Sequence, residues 1–206
     1  MSKKPVIVFE GIEGSGKSHH INVVSKYFKK NKIPFLKLRE PGGSINSEKI
    51  RKIILNKKSN FNRNTDLLLY LASRSENINL LKSAYKKKII LIDRFVDSTV
   101  AYQHYGLGVN FNLIKKINEH ILSNFKINFT FLNIVNRKNM LKRLKSRNSL
   151  NRYDKFNKKF YDNVQNGFIK LSKRNKKNYQ IVDSNLDIKK NENLIIDKIK
   201  KIIKWF

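Results

Sequence analysis

Val6-Ile7-Val8-Phe9-Glu10-Gly11-Ile12-Glu13-Gly14-Ser15-Gly16-Lys17-Ser18 decides the architecture of this 206-residue chain. Four β-branched or aromatic residues in a row read as a short strand buried on both faces. The segment Gly11 to Ser18 has the spacing G-x-x-x-x-G-K-[ST], and apolar residues at helical spacing, Ile21, Val24, Tyr27 and Phe28, follow it. Between a strand and a helix, such glycines let successive backbone N–H groups turn inward around phosphate oxygens, and the helix adds its positive N-terminus. Gly11, Ile12, Glu13, Gly14, Ser15, Gly16, Lys17 and Ser18 are therefore candidate binding residues for ATP or another nucleoside triphosphate. Lys17 is placed to reach the β- and γ-phosphates, and Ser18 to hold Mg²⁺. His19 and His20 have no metal-ligand spacing to other histidines or carboxylates and read as structural.

The pattern repeats along the chain. Pro34 to Leu38, Ile89 to Ile92 and Phe129 to Val135 are further short apolar runs, with Tyr179 to Val182 a weaker fifth, and stretches of helical spacing separate them. Strand and helix in alternation predict an α/β fold: a five-stranded parallel sheet between helices in three layers, of the P-loop NTPase type, with the ligand cleft at the carboxyl ends of the strands. No Pro/Gly-rich linker divides the chain, so residues 1–206 read as one domain. Ile188 to Phe206 reads as a closing amphipathic helix, with Trp205 and Phe206 as packing anchors.

Composition removes several classes. No cysteine is present, so disulfides, thiolate nucleophiles and Cys-ligated zinc drop out together. No apolar run approaches the roughly 20 residues needed to cross a bilayer, and Val6 to Phe9 is too short for a signal-peptide core. No membrane association is expected, and a cytoplasmic protein is. The formal charge is +30, which taken alone suggests nucleic acid. However, 35 Lys, 27 Asn and 25 Ile are spread from end to end, against only 10 Arg. An even Lys, Asn and Ile bias accounts for that charge without a specific nucleic-acid partner, and the field attracts small anionic substrates in either case.

Arginine is placed differently from lysine. Arg39-Glu40-Pro41-Gly42-Gly43 follows the second strand and Asp93-Arg94 ends the third. Arg51 and Arg74 fall in helical segments that begin near these loops. A carboxylate at Asp93, beside a phosphate loop, can hold Mg²⁺ through water, and an adjacent arginine can neutralise a transferring or accepting phosphate. The guanine-selecting Asn-Lys-x-Asp of GTPases is absent, because the Phe129 strand leads into Val135-Asn136-Arg137-Lys138.

Four stretches together carry a resemblance: Phe9 to Ser18, Arg39 to Gly43, Leu68-Leu69-Tyr70-Leu71-Ala72-Ser73-Arg74, and Asp93-Arg94-Phe95-x-Asp97-Ser98-x-x-Ala101-Tyr102-Gln103. In order and spacing they resemble the bacterial thymidylate kinases, which transfer the γ-phosphoryl of ATP to thymidine monophosphate (dTMP). The resemblance implies that Arg39 and Arg94 bind the acceptor phosphate, that Arg51 helps line the same end and that Asp93 assists Mg²⁺ binding. It further implies that Glu13 meets the sugar 3′-hydroxyl, Tyr70 stacks on thymine and Arg74 reaches O4. Ser98, Thr99 and Gln103 would line the nucleoside pocket, with Thr99 and Gln103 near N3, and Tyr102 would lie beneath the sugar.

The basic region after the fourth strand, residues 137–154, resembles the lid of that family. With Gly14 after the acidic residue of the phosphate loop, catalytic arginines are expected from the lid: Arg143, Arg147 and Arg152 are the candidates. Arg152 is the best placed by motif, although Asn151 stands where the family commonly has Asp. The resemblance also implies a homodimer. Two other readings stay open, a kinase for another nucleoside monophosphate and a basic ATPase stimulated by nucleic acid.

Overall fold

The computed structural model describes residues 3–146 and 152–204. Arg147, Asn151, Trp205 and Phe206 lie outside the described residues. The five strands are β1 (Val6–Glu10), β2 (Phe35–Arg39), β3 (Ile89–Asp93), β4 (Phe129–Ile134) and β5 (Tyr179–Asp183), in the order β2-β3-β1-β4-β5. Every neighbouring pair is parallel. β1 therefore sits at the centre, and its five residues are all buried. That is why it is apolar without alternation: both of its faces are covered.

The two faces draw on alternate residues, since successive side chains of a strand point to opposite sides. Ile7, Phe9, Leu91, Phe129 and Phe131 pack on one side with Ile21, Val24 and Phe28 of α1 (Lys17–Lys30) and Ile195 and Ile199 of α8 (Ile188–Ile203). Val6, Val8, Ile90 and Ile92 pack on the other with Ile78 and Leu81 of α3 (Arg63–Ala84). A third cluster lies toward the carboxyl ends. There, Leu132 and Ile12 meet Met140 and Leu144 of α6 (Arg137–Lys145) and Phe160, Val164 and Phe168 of α7 (Lys158–Arg174).

The remaining elements are α2 (Ile45–Leu55), α4 (Val96–Thr99), which runs on into a π-helical stretch Val100–Gly106, and α5 (Phe111–Leu122). The asparagine bias has a local use here. Asn62, Asn110, Asn136 and Asn157 each accept a backbone N–H at the start of α3, α5, α6 and α7, as a good N-cap does.

Strand register positions the site. Phe9 and Arg39 both pair with Asp93, so the loops leaving β1, β2 and β3 start at one height. The phosphate loop, Arg39-Glu40-Pro41-Gly42-Gly43 and Asp93-Arg94 then converge at one edge of the sheet, where parallel α/β folds bind ligands. No helix among the described residues is long and apolar enough to cross a membrane.

Candidate active site

The phosphate loop holds its shape through glycine. At Gly11, φ is 137° and an added Cβ would lie 2.2 Å from the backbone oxygen of Asn133, so no side chain fits there. Gly16 caps α1 at φ 88° with no side-chain acceptor, which leaves the first N–H groups of the helix directed at the loop. The Lys17 ammonium donates to the Ile12 carbonyl at 2.8 Å and to Ser15 Oγ at 3.4 Å. Burial, and then the charge of Arg94, push Lys17 down to about 7 against the opposing pull of Asp93, Glu13 and Glu10. Ser18 Oγ donates to Asp93 Oδ2 at 3.2 Å. The two motif residues are 75 positions apart and meet because β1 and β3 are neighbours.

Arg94 joins the phosphate loop to α4. Its backbone is left-handed, φ 65°, a conformation that costs a non-glycine residue of order 1–3 kcal/mol. Its guanidinium donates to the Gly11 carbonyl at 2.9 Å, to Glu13 Oε1 at 2.9 Å and to Tyr102 Oη at 3.3 Å. The Tyr102 hydroxyl donates in turn to Glu13 Oε2. Burial alone would raise the Glu13 carboxyl, but Arg94, Lys17 and the Tyr102 hydroxyl together hold it below its ordinary value. Behind this pair, Glu10 accepts from the backbone N–H groups of Phe95 (2.8 Å) and Ser98 (3.2 Å) and from the Ser98 hydroxyl. Burial, then the neighbouring Asp97 carboxyl, raise Glu10 to about 7.

The loop after β2 forms the opposite wall. Arg39 is exposed and pairs with Glu48 at 3.1 Å, and Arg51 donates to the Pro41 carbonyl at 2.6 Å. The Glu40–Pro41 peptide is cis. Glu40 is buried, and so is its partner Arg74, whose Nε and Nη2 both lie 2.8 Å from Glu40 Oε2. Arg74 Nη1 donates to Asn118 at 2.6 Å, and the guanidinium lies over the Phe95 ring. Protein groups thus engage the Nε and Nη1 donors, and the buried side chain also lines the cleft.

Tyr70, Thr99 and Gln103 line the far end of the same cleft. Thr99 Oγ1 and Gln103 Oε1 are buried and have no hydrogen-bond partner. Such groups are uncommon in folded proteins and call for an explanation. Every residue singled out from the sequence for the acceptor nucleotide, together with Lys17, Ser18 and Asp93, lines one cavity of about 530 Å³.

The lid arginines part company. Arg143 donates to the Gly14 carbonyl at 2.9 Å and the Ser184 carbonyl at 2.7 Å, so it lies against the phosphate loop. Arg152, the arginine best placed by motif, is instead anchored away from that loop. It pairs with Asp66 of α3 and donates to the Ile54 carbonyl of α2 and to the Tyr153 hydroxyl. Arg147 lies outside the described residues. His20 meets Asn133, and His19 meets Glu192 on α8, structural contacts in both cases.

Sequence reasoning passed over two residues that line the cleft and one that stands behind it. Tyr153 lies in the lid segment beside Arg152, yet its ring lines the cleft next to Tyr70 and Tyr102. Glu40 stood inside a quoted motif without a role. Asp66 carried no local signal, as an acid in the first turn of a helix is ordinary. No group of three or more His, Asp or Glu gathers to hold a metal among the described residues.

The sequence model of the family described as thymidylate kinase matches residues 9–195. The thymidylate kinase of Thermosipho africanus is 37% identical over 184 residues, 88% of this chain and 90% of its own length. That of Mycoplasma capricolum is 35% identical over 204 residues, 95% of this chain and 96% of its own. The crystal structure of thymidylate kinase from Ehrlichia chaffeensis superposes with a TM-score of 0.78 at 27% identity, over 97% of this chain and 99% of that one.

Glu10 gives a stability test. Its carboxyl binds a proton more tightly folded (about 7) than at its ordinary 4.5, so its contribution to stability is present below pH 4.5 and is lost as pH rises to about 7. Glu10→Gln keeps an acceptor for Phe95 and Ser98 and cannot ionise. Its melting temperature relative to wild type is expected to rise between pH 5 and pH 8, and a difference independent of pH would contradict the raised carboxyl.

Proposed function

Because the chain belongs to the thymidylate kinase family, an ATP:dTMP phosphotransferase whose products are dTDP and ADP, we propose the following division of labour in its cleft. The phosphate loop and Lys17 hold the β- and γ-phosphates of ATP, and Arg143 adds positive charge at that end. Arg39, Arg51 and Arg94 hold the acceptor phosphate. Glu13, tied to Arg94 and Tyr102, receives the sugar 3′-hydroxyl, and Tyr102 lies under the sugar. Tyr70 stacks on the thymine, Arg74 donates to O4 with the N–H groups that Glu40 and Asn118 leave over, and Thr99 and Gln103 face N3.

The observation that carries this reading is the pairing of extremes in one cleft. The same cavity is lined by the phosphate-loop lysine and by Thr99 and Gln103, each of which carries a buried polar atom, Oγ1 and Oε1, without a hydrogen-bond partner. A base with an N3–H donor would satisfy Gln103 Oε1, an acceptor of a kind that folded proteins seldom leave without a partner.

Ser18 Oγ and the Asp93 carboxylate are hard oxygen donors 3.2 Å apart. Two such groups suit Mg²⁺, which commonly keeps several waters and takes its remaining ligands from substrate phosphates. When bound, Mg²⁺ neutralises and orients the phosphate oxygens of ATP. No side chain need act as general base: the second pKa of a phosphate monoester is about 6, so the acceptor is already a nucleophilic dianion at neutral pH. The protein's contribution is alignment and charge neutralisation, with water kept away from the transferring group. Arg94 is central to that task, since it touches both the phosphate loop and α4. We place the enzyme in the cytoplasm as a homodimer, and exposed Leu68 and Leu80 on α3 and Leu113 on α5 supply apolar surface for a second copy.

Incubation with ATP, Mg²⁺ and each nucleoside monophosphate, with and without DNA, is expected to yield diphosphate chiefly from dTMP. ADP formed without diphosphate and rising with DNA would overturn the reading and make the basic surface the functional one. Arg94→Ala is expected to lower turnover by about 10³-fold while ATP binding persists; near-normal turnover would remove Arg94 from the reaction.

Lys17 adds a pH test. A phosphate beside it favours the charged ammonium. Since Lys17 stands at about 7, MgATP binding is expected to take up close to one proton at pH 8 and almost none through this group at pH 6. Titration calorimetry in two buffers of different ionisation enthalpy reads that number directly, and zero uptake at pH 8 would contradict the lowered lysine.

A further inference from the structure

Three donors converge on Asp66, in the first turn of α3 and 2% exposed. Arg152 pairs with its Oδ1. The Tyr153 hydroxyl donates to Oδ2 at 2.6 Å, and Gln103 Nε2 donates to the same oxygen at 3.3 Å. A carboxylate can only accept. Gln103 must therefore turn its NH₂ toward Asp66, and its Oε1, the atom without a partner, is left facing away from it, in the side chain that lines the cleft. The polarity of that amide is thus settled by a residue 37 positions away.

From this geometry we infer that Asp66 is a positioning residue that sets the base preference of the cleft by fixing the Gln103 amide, and that the lid turn holds Asp66 in place through Arg152 and Tyr153. The inference rests on the nucleotide reading above. With Oε1 toward the ligand, the pocket accepts from thymine N3–H and opposes cytosine, whose N3 is a lone pair. Reversing the amide would reverse that preference. Arg152 and Tyr153 adjoin each other in the short turn Arg152–Lys155, so lid docking and base reading share one carboxylate. This also explains why Arg152 lies away from the phosphate loop: its guanidinium compensates a buried charge.

Asp66→Asn tests the relay. The Asn oxygen is claimed by Arg152, which can only donate, so its NH₂ faces Gln103 and turns Oε1 inward. The ratio of kcat/KM for dTMP over dCMP is expected to fall by about tenfold or more. Gln103→Ala alone should lower the ratio, and adding Asp66→Asn to it should change the ratio no further, whereas a merely structural Asp66 would lower both rates and leave the ratio intact. An unchanged ratio in folded Asp66→Asn, or a further fall in the double variant, overturns the relay. A wild-type enzyme with no preference for dTMP over dCMP overturns the substrate reading and the relay with it. Should Asp66→Asn not fold, the wild-type protein still decides. Its Gln103 side-chain amide protons, assigned by their loss in Gln103→Ala, should exchange slowly with solvent and show nuclear Overhauser contacts to the Tyr153 ring and none to bound dTMP. Fast exchange, or contacts to dTMP in place of Tyr153, would put the NH₂ in the cleft and refute the relay.

Discussion

The ion pair between Arg94 and Glu13, at 2.9 Å, ties the phosphate loop to the helix that follows β3, and the cleft depends on it. The Arg94 bond to the Gly11 carbonyl and the Tyr102 bond to Glu13 reinforce the same tie. Both side chains are largely withdrawn from water, so removing one partner would leave a buried charge held by its remaining neighbours alone, Lys17 and Tyr102 for Glu13 and the Gly11 carbonyl for Arg94. The left-handed backbone of Arg94 is sustained by the same contacts. The Gly11 carbonyl, Glu13, Ser98 and Tyr102 all face its guanidinium. Strain at this point keeps the charge directed at the groove and away from solvent.

A second layer of charge supports the first. Glu10 fixes the backbone N–H groups at the start of α4, while Glu40 fixes Arg74 and receives Asn77. These buried acids are scarce in a chain with 15 Asp and Glu against 45 Lys and Arg, and several stand behind an arginine of the cleft. Lysine covers the exterior and raises the concentration of anions near the protein without selecting among them. Arginine, with a planar fork of donors suited to phosphate and carbonyl groups, is gathered along the cleft at Arg39, Arg51, Arg74 and Arg94.

Much of the fold was legible locally. The run Val6 to Phe9 had to be buried on both faces, and β1 is the central strand. The weak fifth segment, Tyr179 to Val182, forms β5 at the sheet edge, where burial is incomplete, which is why its apolar pattern was faint. The motif residues assembled in one cleft because three consecutive β-strand exits share a register. Tyr153 and Asp66 were not legible. Neither belongs to a spacing pattern, and each gained its place only when the lid turn packed against α3.

By itself the sequence determined what is local: strands from apolar runs, the phosphate loop from glycines that alone tolerate its backbone, and the motif arginines near the cleft. The tertiary structure alone decided which donors and acceptors those residues retain. Arg74 meets Glu40 34 residues away and Asn118 44 residues away, and Arg152 meets Asp66 across 86. A charge that leaves water must find a partner, and the partner is whichever group the packed elements bring within reach. Spacing along the chain does not encode that distance. The packing of β2, α3, α5 and the lid turn does, and so the direction in which the Gln103 amide faces was settled in space.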